Sequence, residues 1–552
     1  MIQKQENGKQ ILGQAVLICF CVYFLMCDIL QPTVPWKWWT EYLALEHMLC
    51  FSFLGLILVS LPNASRKRSL SYLAFFWVWM ILIRMAIQGL DKALFSEIFS
   101  VGVLCVVFYL TTALDAKGKQ RLGDVFCGIL FPILTVWGIL GFLVCINVIP
   151  EVRIGDAAIA LIVHPYGSGK AIYVFFFGVN KNITATWFMV AFWLAVVQFF
   201  RTHRKWLRVL LGLFGGLMYV TVGLQCCRFV NIAFAVGAGM LVVLLAKDRL
   251  KIQKTAARRL AAGLIAVVVM FGCYKGFDFC GQVANKIAGP DALKNAHPAG
   301  YMPVWETEEE PDQTETESEA VAETEAETVA ETEAEAVAET EAETVAETEA
   351  EAVAETEAET VAETEPETVT EAETETTPES ETLPGFVGDS NGVGDTRNFF
   401  KDMLTLTGRT PIWASSLRAV FTRKKFMLLG QPVDDIPMNM IHYGGYEKFQ
   451  VHTHNMLIQV LAQGGIIGLV LMTAFTYLQI RTAIRLFFNR KQSLSRKIYA
   501  ILLVCLLING IGEPILNFEF TARAFMFTAG MLADQEEATD FRKIFRFRKK
   551  KA

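Results

Sequence analysis

Residues 455–478 read NMLIQVLAQGGIIGLVLMTAFTYL, a run of 24 residues without Asp, Glu, Lys or Arg. The hydrocarbon core of a bilayer is about 30 Å thick, and an apolar α-helix crosses it in about 20 residues. Because lipid offers no hydrogen-bond partners, the backbone of such a run must pair its polar groups internally. The run therefore predicts a transmembrane helix.

Apolar runs of similar length recur along the whole chain. Of the 552 residues, 53% are hydrophobic and 41 are Phe, which is too apolar for a soluble protein of this size. We predict an all-α, polytopic membrane protein with about 12 transmembrane helices. The predicted spans are residues 11–30, 43–61, 70–89, 93–113, 124–147, 172–200 (its second half spanning), 207–225, 229–246, 260–276, 455–478, 498–515 and 519–533. The first run lacks a small-residue cleavage site, so we expect an anchor and not a signal peptide.

Positive charge alternates between the loops that join these runs. Basic clusters follow the second, fourth, sixth, eighth and tenth spans, and residues 542–552 read RKIFRFRKKKA. The clusters are Arg66–Arg68, Lys117–Arg121, Arg201–Lys205, Lys247–Arg259 and Arg481–Lys497. Loops rich in Lys and Arg stay on the cytoplasmic side. We therefore expect a multi-pass protein of the cytoplasmic (plasma) membrane with both termini in the cytoplasm.

The formal charge of −6 comes from one segment. Residues 306–381 hold 31 of the 56 acidic residues and no Lys or Arg, which leaves 25 acidic against 50 basic residues elsewhere. From Ala322 to Val369 the segment repeats an octad, AETEAETV or AETEAEAV, with Pro366 in the last copy. Like charges and few apolar residues predict an extended or disordered spacer, although Ala and Glu also favour a helix.

The runs and the repeat divide the chain into four parts. Residues 1–276 carry spans one to nine, and residues 277–453 form one large extracytoplasmic loop. Residues 454–535 carry the last three spans, and residues 536–552 form a basic cytoplasmic tail. Within the loop, residues 397–453 contain amphipathic stretches, so we expect them to be structured and to carry part of the functional site.

His454 is the strongest candidate for a general base. It lies where the large loop enters the run 455–478, and imidazole is the side chain that keeps a free lone pair near pH 7. Arg228 lies at the predicted external junction of spans seven and eight, where an arginine needs an anionic or polar partner. Arg228 either binds a ligand, extends its side chain to the membrane surface as a snorkelling residue, or pairs with a lipid phosphate.

Three other patterns have competing interpretations. His452 and His454 form a metal pair only with a third ligand, and the sequence indicates none. Asp434 and Asp435 suit a metal site or a solvated turn, and we favour the turn. The GxxxG motif at residues 464–468 is more typical of helix packing than of ligand contact.

Four short motifs occur in a defined order. They are FGVNKNITATW with Asn180, Asn182 and Ala185, CCRF with Arg228, TGRTPIW with Gly408, Arg409 and Trp413, and HNMLIQVLAQGGIIGL with His454, Asn455, Gly465 and Gly468. In this order the chain resembles the O-antigen ligase and O-antigen polymerase superfamily of polytopic membrane glycosyltransferases. It departs from the family pattern at Cys227, where Ser is usual, and at Gln463, where an acidic residue is common.

The resemblance implies a GT-C-like helical enzyme of cell-surface polysaccharide assembly, with its active site outside. The donor would be a glycan on undecaprenyl diphosphate, and the acceptor a sugar hydroxyl on a lipid-linked core or a growing chain. His454 would be the catalytic base, and Arg228 and Arg409 would bind the diphosphate. The supporting residues would be Asn455, Trp413, Asn180 and Asn182. The reaction would invert the anomeric centre, and no metal, other cofactor or nucleic acid is implied.

Three other functions are compatible with this sequence. A polymerase of the same superfamily would share the motifs and differ in its acceptor. A transporter of lipid-linked glycans would line a path with intramembrane charges, of which the sequence shows few. A surface-display protein would depend on the repeat, so deleting residues 306–381 would abolish its function but would affect a transferase little.

Overall fold

The computed structural model describes residues 2–30, 46–54, 68–88, 92–154, 157–166, 169–176, 181–249, 255–288, 296–298, 409–446, 452–516 and 519–533. The acidic repeat 306–381, the basic tail 536–552 and Asn180 lie outside these residues. The helices are α1 (Ile2–Leu30), α2 (46–54), α3 (Arg68–Gln88), α4 (Lys92–Ala113), α5 (Ala116–Cys145), α6 (Lys181–Arg201), α7 (Lys205–Leu224), α8 (Arg228–Arg249), α9 (Thr255–Ala288), α10 (Thr410–Thr422), α11 (Lys424–Leu429), α12 (Asp435–His442), α13 (Met456–Phe488), α14 (Leu494–Gly512) and α15 (Glu519–Leu532).

Seven of these helices are long and apolar enough to cross a membrane, namely α5, α6, α7, α8, α9, α13 and α14. They coincide with predicted spans five to eleven. Shorter apolar stretches, Ile11–Cys27, Ser69–Ile83 and Phe99–Ala113, lie where spans one, three and four are expected. The chain is thus a mostly helical membrane protein, and the count of twelve spans stays a prediction.

A small sheet occupies the segment between α5 and α6, which the sequence analysis leaves as a loop. Strands β1 (Glu151–Ile154), β2 (Ala157–Tyr166) and β3 (Gly169–Phe176) pair in antiparallel order, and β4 (His297–Pro298) pairs with β2 in parallel. The all-α class is therefore incomplete. The apolar run 172–200 begins within β3, and its second half, which was predicted to span the membrane, lies in α6. The β-branched and aromatic residues of this segment suit a half-buried sheet.

The sheet packs against the membrane helices through Phe176. Its ring contacts Gly141 of α5, where an added Cβ would collide with it, and lies 5.3 Å from the ring of Phe188 in α6. The register that places Phe176 opposite Ile159 and Val174 opposite Leu161 turns these apolar side chains to one face of the sheet. Phe176 thus packs the sheet against both α5 and α6.

Two of the basic clusters lie at the same end of the helical body. Lys119, near the start of α5, donates to the carbonyl of Ala533 beyond α15 (2.7 Å), and Arg201, at the end of α6, pairs with Asp124 of α5 (2.8 Å). The start of α6, with Asn182, lies about 30 Å from Arg201 by the rise of an α-helix. The end of α14 and the start of α13 lie with Asn182 at this opposite end.

One buried ion pair joins helices α1, α2 and α15. Arg523 of α15 donates to Oε1 of Glu46 in α2 (2.6 Å) and to the carbonyl of Phe24 in α1 (2.7 Å). The side chains of Arg523 and Glu46 are 1% and 2% exposed. Because each charge has a partner of opposite sign, the pair is stable in a low-dielectric interior only while both members remain. Neither residue belongs to a sequence motif that predicts this pair.

Helix α13 is interrupted at Gly465, whose φ of 63° lies in the left-handed region. The chain beyond α11 packs against the interruption, and the N–H of Gln431 donates to the carbonyl of Ala462 (2.8 Å). Trp79 of α3 donates to the carbonyl of Gly464 (2.9 Å). Carbonyls released by the break thus find partners, as a membrane interior requires. The break also fixes the cap formed by α10, α11 and α12 against α13.

Replacing Gly465 by alanine is expected to destabilise the protein by about 2 kcal/mol or more. The added Cβ would collide with the carbonyl oxygen of Leu428, and the left-handed φ is costly for any side chain. Gly263→Ala in α9 is the matched control, because nothing lies within 4 Å of its added Cβ. Thermal unfolding of both variants in the same detergent measures the difference, and equal midpoints would contradict this account of the break.

Candidate functional site

The site is centred on Glu513, the residue after α14. The chain reads Gly512-Glu513-Pro514, and a residue before proline is driven away from the helical conformation. Glu513 accordingly has extended backbone angles, φ −141° and ψ 145°, and its side chain is 2% exposed. The predicted span eleven, 498–515, includes Glu513. This boundary is wrong, because α14 ends at Gly512 and the carboxylate lies beyond it.

Three side chains from other segments converge on this carboxylate. Asn182, at the start of α6, donates through Nδ2 to Oε1 (2.7 Å), and Arg409, just before α10, donates through Nη2 to the same oxygen. The second oxygen, Oε2, lies 3.3 Å from Nδ1 of His454. One carboxylate therefore joins a hydrogen-bond donor, a cation and an imidazole that are far apart in the sequence.

The guanidinium of Arg409 is held on two sides. Its Cζ lies 4.7 Å from the centre of the Phe229 ring, which packs on Gly512 so tightly that an added Cβ there would collide with the ring. A cation over an aromatic face contributes about 0.5–2 kcal/mol. Arg409 is therefore positioned both by the charge of Glu513 and by the ring of Phe229, and it stays 14% exposed.

The charges around Glu513 favour its ionised form. Burial by itself raises the pKa of a carboxyl group, but the hydrogen bond with His454 and the positive charge of Arg409 outweigh burial. The pKa of Glu513 is consequently lowered. Glu513 is thus a carboxylate at neutral pH. It can accept a hydrogen bond from Nδ1 of His454 when that nitrogen carries the ring proton.

His454 has an unusual backbone that its surroundings hold in place. Its φ of 52° lies in the left-handed region, which costs a non-glycine residue about 1 kcal/mol. Its carbonyl accepts from Nε1 of Trp413 (3.2 Å). The next residue, Asn455, caps α13 by accepting from the N–H groups of Leu457 (2.9 Å) and Ile458 (3.1 Å). Such enforced conformations cluster at functional sites.

His452 lies beside His454, with the ring centres 4.1 Å apart. Burial, together with the neighbouring His454 ring and the charge of Arg409, lowers the pKa of His452 from 6.5 to about 4. One ring nitrogen of each histidine and one carboxylate oxygen of Glu513 lie within 4.8 Å of one another. The sequence indicates no third ligand for the histidine pair. In the fold, Glu513 lies beside the pair and can be that third ligand.

The fold brings Arg409, His454 and Asn182 into direct contact with one carboxylate. Trp413 and Asn455 support them through the backbone, since Asn455 also donates through Nδ2 to the carbonyl of Ile511 (3.0 Å) and so ties α13 to α14.

Arg228 occupies a different position from the other predicted site residues. It is the half-buried first residue of α8, and it is the next residue, Phe229, that contacts Arg409. Asp434 and Asp435 are exposed at the start of α12, as expected for a solvated turn. Gly464 and Gly468 pack against Met80 and Phe76 of α3, so the helix-packing interpretation of the GxxxG motif is confirmed.

Glu513 is the central residue of the candidate site, and it was not predicted from the sequence. Its signal was an acidic residue between Gly and Pro at the end of an apolar run, at the same predicted side as His454. An ionisable residue in or beside a membrane span is a functional candidate by default. Phe229 gave no comparable signal, because one aromatic residue in an apolar run is ordinary.

Comparison with known proteins identifies no family for this chain. A scan against protein-family models gives no match, and neither a curated protein nor a solved structure matches. The site geometry and the four sequence motifs therefore carry the functional proposal.

Proposed function

We propose that the chain is a membrane glycosyltransferase of the O-antigen ligase type. It transfers a glycan from undecaprenyl diphosphate to a sugar hydroxyl at the outer face of the cytoplasmic membrane, in cell-surface polysaccharide assembly. The observation that carries the proposal is the carboxylate of Glu513, which contacts both an imidazole and a guanidinium. A proton acceptor and an anion-binding cation side by side are what transfer from a diphosphate requires.

The proposed base is an imidazole oriented by a carboxylate. When Nδ1–H of His454 donates to Oε2 of Glu513, the lone pair of the ring lies on Nε2. Nε2 can then take the proton of the acceptor hydroxyl, and the imidazolium that forms is stabilised by the carboxylate. A positioned base of this kind contributes about 10²–10⁴-fold to the rate.

The bond changes follow from the two substrates. The acceptor oxygen attacks the anomeric carbon as Nε2 removes its proton, and the bond from that carbon to the diphosphate oxygen breaks. The leaving group departs as undecaprenyl diphosphate. Its low pKa makes a general acid unnecessary, and attack opposite the leaving group inverts the anomeric centre. The proton leaves the imidazolium for solvent after the product departs.

The leaving diphosphate needs positive charge, and Arg409 supplies it. A guanidinium carries its N–H donors in a planar fork, so it can serve Glu513 and a phosphate oxygen together. Arg228, one residue from the ring that contacts Arg409, is the second cation of the proposal. Hydrogen bonds in which both groups are charged are about twice as strong as neutral ones.

The position of the site supports an outward-facing reaction. Asn182, Arg409, His454 and Glu513 meet at the end of the body opposite the basic residues Lys119 and Arg201. Because basic loops stay in the cytoplasm, that end is expected to face outside.

Arg409→Lys is expected to lower the transfer rate by about 10²-fold. An ammonium is a point charge that cannot keep the planar fork between Glu513 and a phosphate. Arg423→Lys is the matched control, because Arg423 is an exposed arginine whose guanidinium stacks on Tyr443 in the cap. The release of undecaprenyl diphosphate by each purified variant measures the rate. An Arg409→Lys enzyme as fast as the control would count against diphosphate binding by this residue.

The glycan profile of a strain that lacks the chain tests the function itself. A ligase predicts that finished polysaccharide accumulates on its lipid carrier, whereas a polymerase predicts surface chains of a single repeat unit. An unchanged polysaccharide profile would contradict both. Accumulation of the lipid-linked glycan on the cytoplasmic side would favour a transporter.

A further inference from the structure

We propose that His452, His454 and Glu513 form a binding site for one divalent transition-metal ion of the Zn²⁺ class, and that the bound ion switches off the proposed base. The binding follows from the geometry of the three side chains. The inhibition rests on the proposed function.

The donor atoms suit such an ion in kind and in spacing. Two imidazoles and one carboxylate are a common ligand set for Zn²⁺, which binds nitrogen and oxygen at about 2.0–2.2 Å. Tetrahedral geometry at these bond lengths separates neighbouring ligand atoms by about 3.4 Å. Nδ1 of His454 and Oε2 of Glu513 are already 3.3 Å apart, and one ligand atom from each of the three residues lies within 4.8 Å of the other two. Binding then requires donor atoms that lie at most 4.8 Å apart to draw together to about 3.4 Å.

The two carboxylate oxygens of Glu513 contact different residues. Oε1 accepts from Asn182 and Arg409, whereas Oε2 faces His454. An ion held by Oε2 therefore replaces the proton between His454 and Glu513 without displacing Arg409. The charge of Arg409 opposes the ion, so removing that charge should tighten metal binding.

The inhibition follows from the two nitrogens of one ring. A neutral imidazole that binds a metal through Nδ1 carries its proton on Nε2. Nε2 then has no lone pair with which to accept the proton of a hydroxyl group. The bound ion thus removes the base while every side chain of the site remains in place.

Metal titration of the purified full-length chain in nanodiscs tests the binding. When Zn²⁺ binding is followed by calorimetry, we expect the wild type to bind one ion per chain. The variants His452→Ala and Glu513→Gln should bind Zn²⁺ at least about 10-fold more weakly. His442→Ala is the control, because His442 is an exposed histidine of α12 outside the cluster. The Zn²⁺ affinity of this variant should equal that of the wild type. Arg409→Gln should bind more tightly than the wild type. Equal affinity of wild type and His452→Ala would overturn the proposal.

The twelve cysteines of the chain require a second readout. Co²⁺ in place of Zn²⁺ gives absorption bands in the visible range, and a thiolate ligand adds a charge-transfer component in the near ultraviolet. We expect visible bands without that component, and a strong thiolate band that persists in His452→Ala would overturn the site.

Transfer assays then test the inhibition separately from the binding. Zn²⁺ that occupies the site should stop transfer by the wild type, and a chelator should restore it. Binding with unchanged or faster transfer would overturn the inhibitory role. A chain that binds the ion with the expected variant pattern but transfers no glycan would contradict the proposed function alone.

Discussion

Replacing His454 by alanine is expected to lower the transfer rate by about 10²–10⁴-fold while the protein still inserts and folds. The loss follows because the acceptor hydroxyl then has no positioned group to take its proton. The fold should persist, since Glu513 keeps its contacts with Arg409 and Asn182. Initial rates of undecaprenyl diphosphate release, with expression and thermal unfolding measured in parallel, provide the test.

A glycine variant at the same position separates catalysis from backbone strain. His454 has a φ of 52°, which glycine adopts at no cost, so His454→Gly should be about 1 kcal/mol more stable than His454→Ala. Both variants should be equally slow in transfer. A His454→Gly enzyme that kept wild-type activity would show that this histidine serves the backbone conformation alone, and the base would have to be another group.

Glu513→Gln is expected to lower the transfer rate by a similar factor, about 10²–10⁴-fold, while the protein remains folded. The amide oxygen can still accept from Asn182 and Arg409. The amide nitrogen, however, donates to Nδ1 of His454, which moves the ring proton to Nε2 and removes the lone pair that accepts the substrate proton. Stability should fall by about 1–3 kcal/mol, because Arg409 loses its anion.

Glu151→Gln is the matched control for the carboxylate. Glu151 pairs with Arg153 (3.1 Å) on β1, outside the cluster around Glu513. Its amide variant should transfer at the wild-type rate. If Glu513→Gln lost stability but transferred at the wild-type rate per folded molecule, Glu513 would be a structural residue and the dyad would be excluded.

The membrane body could be predicted from the sequence because its signal is local. A run such as 455–478 predicts a helix from length and polarity alone, and seven apolar helices lie where seven predicted spans lie. The sheet of 151–176 could not be predicted in the same way. Residues 172–176 open the apolar run 172–200, and only their pairing with β2 identifies them as a strand.

In the candidate site, too, residues within short motifs could be predicted from the sequence, whereas contacts between distant segments could not. His454 and Arg409 were identified from short motifs, and the fold brings both to one carboxylate. Glu513 was missed because an apolar run that continues to residue 515 hides the end of α14 at Gly512. The contact between Arg409 and Phe229 depends on how α8 and α10 meet, and no local pattern reports it.

The most direct measurement is a double-mutant cycle on the transfer rate, with His454→Ala, Glu513→Gln and the combined variant. If the carboxylate acts through the imidazole, the combined variant should be no slower than His454→Ala alone, within about 3-fold, because the second change has no base left to disturb. If the two losses instead multiply, Glu513 and His454 act independently, and the proposed carboxylate–imidazole base is wrong.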